Sequence, residues 1–250
     1  MTGTSVVVHD NPDLLAQAVA ARLVVALLDA QARRGAASVV LTGGRIAAGV
    51  YRAVRELPAR DAVDWSRVDV WWGDERFLPT GHPDRNETQA RAALLDALPL
   101  PPERIHPMPS SDGPDGADPE AAAARYAAEL AAAAPPAPLP RFDVLMLGVG
   151  EDGHVASVFP GHPEGRAAGP VVAVRDSPKP PPTRLTLTLP TIGTADEVWL
   201  VAAGADKAPA VRAALDAAGP APLPAAEVCG VRATRWLLDR AAAAEARTVA

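Results

Sequence analysis

Short uninterrupted apolar runs alternate along this chain with longer stretches in which apolar residues recur every three or four positions. "SVVVHD" is followed by "NPDLLAQAVAARLVVALLDAQARRG", which has an Asn-Pro start, helical spacing, a basic last turn and a Gly stop. The first segment predicts a strand and the second a helix. The pair recurs as "ASVVLTGG" with "RIAAGVYRAVREL", and again as "VDVWWGDER" with "RNETQARAALLDAL". Strands that read as continuous apolar runs, each followed by a helix, mark a parallel sheet covered on both faces. The expected fold class is α/β: a Rossmann-like, mostly parallel sheet with helices on both faces.

Further along, "FDVLMLG", "GPVVAVRD", "TRLTLTLP" and "DEVWLVAAG" predict more strands, and "DKAPAVRAALDAAG" predicts a helix. "TRWLLDRAAAAEA" reads as a last strand giving way to a terminal helix. The Pro- and Ala-rich middle holds a predicted helix from about Pro119 to Ala133 and is read as an excursion within one domain, residues 1–250. A chain of 250 residues can bury most of its unfolded apolar surface without a disulfide or metal.

Composition narrows the function. Hydrophobic residues make up 48% and charged residues 22%, which places the chain among ordinary globular proteins and not disordered ones. A net charge of −6 speaks against a nucleic-acid or anionic-membrane partner, both of which need a broad positive surface. A small anionic ligand is still allowed, because a local group of cations can hold it. The single cysteine, Cys229, cannot form an intrachain disulfide and favours a reducing compartment. The start "MTGTSVVVHDNPDLL" has no basic n-region, and "LVVALL" is far below the roughly 20 apolar residues of a membrane span. A cytoplasmic protein is expected, with its oligomeric state open and a monomer compatible.

The densest chemistry lies in "LMLGVGEDGHVASVFPG" (Leu145 to Gly161). Gly148-x-Gly150-x-x-Gly153 after an apolar run matches the dinucleotide fingerprint, and Asp176 follows about 20 residues later. That fingerprint needs a helix directly after the third glycine, and Pro160, Gly161, Pro163 and Gly165 leave room for one or two turns. Glu151 and Asp152 would also oppose a pyrophosphate. The turn reads better as a device that projects Asp152 and His154 from the carboxyl end of a parallel strand, the edge where such sheets keep their sites.

The other strand ends supply matching groups. In "VVLTGGRIAAG", Gly43 and Gly44 join a strand to a helix whose free N–H groups suit a phosphate. "WWGDERF" places Asp74, Glu75 and Arg76 just past the third strand, and "SPKPPPTRLTLTLP" sets Lys179 in a stiff Pro-rich loop with Arg184 at the next strand start. Each feature alone is also compatible with a tight turn or a solvated loop. Only two lysines occur, Lys179 and Lys207.

Taken together, "LTGG", "WGDERF…DRNETQAR", "LGVGEDGHVASVFPG", "SPKPPPTRLTLTLP" and "RWLLDRAAA" resemble the 6-phosphogluconolactonases, from the first strand to the last helix. The resemblance implies a glucosamine-6-phosphate-isomerase-like α/β domain without metal or organic cofactor. It implies hydrolysis of 6-phospho-D-glucono-1,5-lactone to 6-phospho-D-gluconate, in the oxidative pentose phosphate pathway. Carried over, it makes His154 the general base with Asp152 beside it and Asp74 and Arg76 site residues. It makes Gly43 and Gly44 the phosphate cradle, and Lys179 and Arg184 substrate-binding cations. The family often has Ser-Thr-Pro after the two glycines; here "GGRIAAG" puts Arg45 in place of those hydroxyls.

A histidine, with its ordinary pKa near 6.5, can accept a water's proton at neutral pH. Either Asp152 or Asp74 could orient it, and which cation serves the phosphate and which the oxyanion is left open. Two rival readings are a glucosamine-6-phosphate deaminase and a non-catalytic sugar-phosphate-binding module. The deaminases usually follow the histidine with Phe-Asn-Glu-Pro, whereas "SVFP" lacks the Glu. A serine hydrolase is disfavoured because Gly-x-Ser-x-Gly is absent. The five histidines are scattered without zinc-ligand spacing, and His106 in "RIHPMP" is read as structural.

Overall fold

The computed structural model of the chain describes residues 3–216 and 222–246. In chain order it runs β1 (Gly3–His9), α1 (Pro12–Arg34), β2 (Ala37–Leu41), α2 (Arg45–Glu56), β3 (Val68–Trp72), β4 (Asp74–Arg76), α3 (Asn86–Ala93) and α4 (Pro119–Ala132). It continues β5 (Val144–Gly148), β6 (Val171–Val174), β7 (Arg184–Leu187), α5 (Leu189–Ile192), β8 (Glu197–Ala202), α6 (Ala208–Leu215), α7 (Pro224–Glu227) and β9 (Ala233–Asp239).

The first helix forms where its end signals stand. The Asn11 side chain accepts from Leu14 N at 2.9 Å, Pro12 opens the helix, and Gly35 closes it in the left-handed region. Its buried stripe, Leu15, Val19, Leu23 and Leu27, repeats every four residues. All five residues of β2 are buried. Successive strand side chains point to opposite faces, so both faces of the sheet are covered there.

Six strands form a wholly parallel sheet in the order β1-β9-β8-β5-β2-β3. From β2 the chain passes to β3 on one side; from β5 it passes to β8 on the other. The neighbours β2 and β5 therefore flank the point where the winding reverses, and their carboxyl ends part to leave a crevice.

Two expectations need correction. "WGDER", "PVVAV" and "TRLTL" do not join or merely trail the main sheet; β4, β7 and β6 form a separate antiparallel sheet of three strands. Segments of three or four residues are too short for periodicity to reveal their partners. The terminal helix is not formed either: residues 240–245 are turns, pinned where Asp239 Oδ1 accepts from Ala242 N at 2.7 Å and Gly204 N at 3.1 Å. Alanine-rich composition is a weak prior that this anchor overrides. The helix predicted over 206–219 is observed as Ala208–Leu215, and its last residues, 217–219, lie outside the described residues. Among the described residues no helix is long and apolar enough to cross a membrane.

His106 has the structural role its context suggested. Its ring stacks on Trp71 with centroids 3.8 Å apart, and its nitrogens meet Glu129 Oε1 at 2.8 Å and Asp69 Oδ1 at 3.4 Å. Burial opposes the charged ring, but the two carboxylates outweigh it and push the pKa up to about 9. A raised pKa stabilises the fold fully below the ordinary value of 6.5 and loses that contribution as pH rises through about 9. The wild type is therefore expected to lose about 1–2 kcal/mol of this stability between those limits, after allowance for screening at the exposed side of Glu129. In His106→Gln, urea unfolding at pH 6 and at pH 9.5 should differ less by that amount; an unchanged difference would remove His106 as its source.

Candidate active site

At the crevice lies a cavity of about 600 Å³. The ends of four adjacent parallel strands line it: Thr42, Gly43 and Gly44 after β2, Asp74 and Arg76 after β3, Gly150 and His154 after β5, and Gly204 and Lys207 after β8. Lys179 and Arg184 reach it from the loop and strand of the small sheet. Every residue expected at the site lines this cavity except Asp152, which touches it through His154.

The glycine-rich turn after β5 folds back on itself. Gly150 N donates to His154 O at 2.9 Å and Gly153 N to Gly150 O at 3.0 Å. His154 Nδ1 then lies 2.5 Å from Asp152 Oδ1. Burial would raise the Asp152 pKa, but the hydrogen bond and charge of His154, with a smaller contribution from Lys179, bring it well below the usual carboxylate range. An ionised carboxylate can only accept, so Nδ1 carries the proton. Nε2, on the far side of the ring from Asp152, is hydrogen-bonded by no described residue. The ring is 17% exposed and leans on Phe159 at 4.6 Å between centroids.

The β2–α2 turn is fixed from below. Tyr51 hydroxyl donates to Thr42 O at 2.6 Å and accepts from Thr42 N at 3.0 Å. Gly44 caps α2 at φ 102°, a conformation that favours glycine, and no side chain caps the first N–H groups of the helix. Those donors, with Arg45 at the helix start, make a positive pole.

A second positive group comes from the small sheet. Arg76 and Arg184 stand directly opposite each other across the β4–β7 ladder. Arg184 is 5% exposed and organises the Pro-rich loop: Nη2 donates to Lys179 O and Pro180 O at 3.0 Å each, and Nε to Pro181 O at 3.2 Å. Burial lowers its pKa, the Asp74 charge offsets this, and Arg76 lowers it further. Arg76 Nη1 donates to Asp84 O at 2.6 Å. Asp74 is buried and held by neutral donors, Ser157 Oγ at 2.7 Å and Asn86 Nδ2 at 3.2 Å. Behind it, burial pushes Glu75 up to about 7, against the pull of Arg85 and three backbone N–H groups.

The structure thus gathers all the residues that sequence reasoning selected, and it adds others. Lys207, Asn86 and Arg52 also line the cavity, and Ser157 supports its floor. Lys207 Nζ pairs with Asp206 at 3.1 Å and Glu151 at 3.6 Å. Its signal was the odd lysine after a strand-end glycine. Among the described residues no three His, Cys, Asp or Glu side chains are grouped as a metal set.

Comparison of the whole chain with known proteins shows which family this fold belongs to. Residues 10–236 match the family described as glucosamine-6-phosphate isomerases/6-phosphogluconolactonase, and the chain belongs to it. Within that family its relatives include the 6-phosphogluconolactonase of Streptomyces coelicolor, 59% identical over 96% of this chain and 93% of that protein. That of Mycobacterium tuberculosis is 46% identical over 97% and 98%. The solved structure of 6-phosphogluconolactonase from Trypanosoma brucei superposes with a TM-score of 0.85 at 28% identity, covering 100% of both chains. A monomeric glucosamine-6-phosphate deaminase shares the fold at 22% identity and a TM-score of 0.78.

Proposed function

We propose that the chain hydrolyses 6-phospho-D-glucono-1,5-lactone to 6-phospho-D-gluconate, the lactone-opening step of the oxidative pentose phosphate pathway, with His154 as general base. The observation that carries this reading is a histidine whose Nδ1 is committed to Asp152 and whose Nε2 is unoccupied, in a cavity that also holds two separate groups of cations. A phosphorylated lactone has two parts that need positive charge: the phosphate, and the carbonyl oxygen that becomes anionic as water adds.

In this mechanism Nε2 takes a proton from water while the water oxygen bonds to the lactone carbonyl carbon. Asp152 stabilises the imidazolium that results. Arg76, Arg184 and Lys179, with the N-terminus of α2, Arg45 and Lys207, neutralise the oxyanion and grip the phosphate. Collapse of the tetrahedral intermediate breaks the bond from the carbonyl carbon to the ring oxygen. The proton on Nε2 passes to that oxygen, leaving a hydroxyl and a carboxylic acid that ionises in water. No covalent enzyme intermediate is needed.

The test is a pair of assays. Freshly generated lactone should be consumed well above its spontaneous rate, and glucosamine 6-phosphate should release no ammonia. Ammonia release with no effect on the lactone would replace this reading by the deaminase one; binding of the lactone without turnover would favour a sugar-phosphate-binding module.

A further inference from the structure

We infer that Asn86 is a positioning residue that sets the Asp74 carboxylate for the reaction, acting as a wedge between Asp74 and the Gly43 turn. The inference rests on the lactone hydrolysis proposed above and adds to it a part for Asp74, whose buried carboxylate lines the cavity beside Arg184. Asn86 begins α3 and is 2% exposed. The Glu75 carboxylate of β4 clamps this helix start, accepting from Asn86 N at 2.6 Å and Glu87 N at 2.9 Å. The side chain is thereby aimed back along β4, where Nδ2 donates to Asp74 O at 2.9 Å and Asp74 Oδ1 at 3.2 Å.

Both of those partners are acceptors, so the amino end of the amide must face Asp74 and the carbonyl end must face away. The carbonyl end meets Gly43. A Cβ at that glycine would lie 1.9 Å from Asn86 Oδ1, and the oxygen is buried with no hydrogen-bond partner. A buried acceptor left unpaired is costly and is kept where something else depends on the group. What depends on it is Asp74. One carboxylate oxygen is fixed by Asn86 and the other by Ser157, and both donors are neutral. Asp74 is oriented without being paired off, and its charge stays available to Arg184 and to a bound sugar.

A double-mutant cycle tests this. Asn86→Ala alone should lower kcat by about 10- to 100-fold with KM within a few-fold, as a misplaced group does. In an Asp74→Asn background the same change should cost less than about 3-fold more, because the residue it positions is already disabled. Asn86→Asp adds a carboxylate against Asp74, so one of the pair holds a proton to higher pH and the acid limb of kcat/KM should move up. Additive losses with an unmoved pH profile would overturn the inference while leaving Asp74 in place. Full turnover by Asp74→Asn alone would also overturn the inference, by removing the part given to Asp74, while lactone consumption itself would still stand or fall by the paired assays above. If Asn86→Ala does not fold, Asn86→Ser and Asn86→Asp carry the cycle, each checked for folding by thermal unfolding.

Discussion

His154→Ala is expected to lower kcat by about 10²- to 10⁴-fold, the range a positioned proton acceptor supplies, while 6-phospho-D-gluconate still binds within a few-fold. The asymmetry follows from where the side chain spends its contacts. Nδ1 is held by Asp152, and the ring rests on Phe159, so the imidazole is placed by the protein and contributes one free nitrogen to the cavity. On the proposed mechanism, removing it deletes the base but none of the cations assigned to the anionic ligand. Some acceleration over the spontaneous reaction should persist, because orientation and the guanidinium charges are untouched. Single-turnover measurement with freshly made lactone, beside calorimetric binding of the product acid, checks both halves. Near-normal turnover would take the proton-accepting role away from His154; loss of product binding would mean that the substitution disturbed the phosphate grip.

Gly150→Ala is expected to be nearly as damaging, although it removes no chemical group. A Cβ on Gly150 would lie 2.0 Å from His154 Nδ1 and 2.5 Å from Asp152 Oδ1. Neither side chain can give way and keep the 2.5 Å bond between them. The backbone at 150 is not in the left-handed region, so the cost is steric and falls on the dyad. A loss of about 10²-fold or more in kcat is expected, as for any reacting group displaced by an ångström. Gly148→Ala is the control: its Cβ would sit 3.8 Å from Gly43 O, an ordinary contact, and the variant should keep most of its turnover. Equal activity of the two variants would show that the turn tolerates a displaced imidazole.

These glycines also explain how much of the molecule could be read from residues alone. Gly148-x-Gly150-x-x-Gly153 looks like a dinucleotide turn because both motifs need backbone without side chains. Here Gly150 clears space for an Asp–His pair, and Gly153 takes φ 80° against Leu223. The parallel strands were legible because buried strand stretches such as "VVL" and "VLML" are apolar on both faces. The site was legible because its residues sit in strand-end motifs. What was not legible depends on partners distant in sequence. Ser157 is 83 residues from Asp74, and nothing in "HVASVF" says that its hydroxyl turns to another strand's end. Asn86 stood within a quoted motif without a role, because the carboxylate that caps its helix comes from β4. Arg184 was expected to serve a ligand, and its hold on three loop carbonyls appears only once the chain is folded.

The rung that joins β4 to β7 has a consequence for selectivity. Side chains directly opposite in an antiparallel pair have Cβ atoms about 5 Å apart, and like charges there weaken the sheet. Arg76 stands against Arg184 on this rung, and the charges of Asp74 and Glu75 act against the repulsion that Arg76 exerts on Arg184. On the proposed reading a doubly charged phosphate seated beside this pair would add to that relief, a gain that an unphosphorylated sugar acid or neutral lactone forgoes.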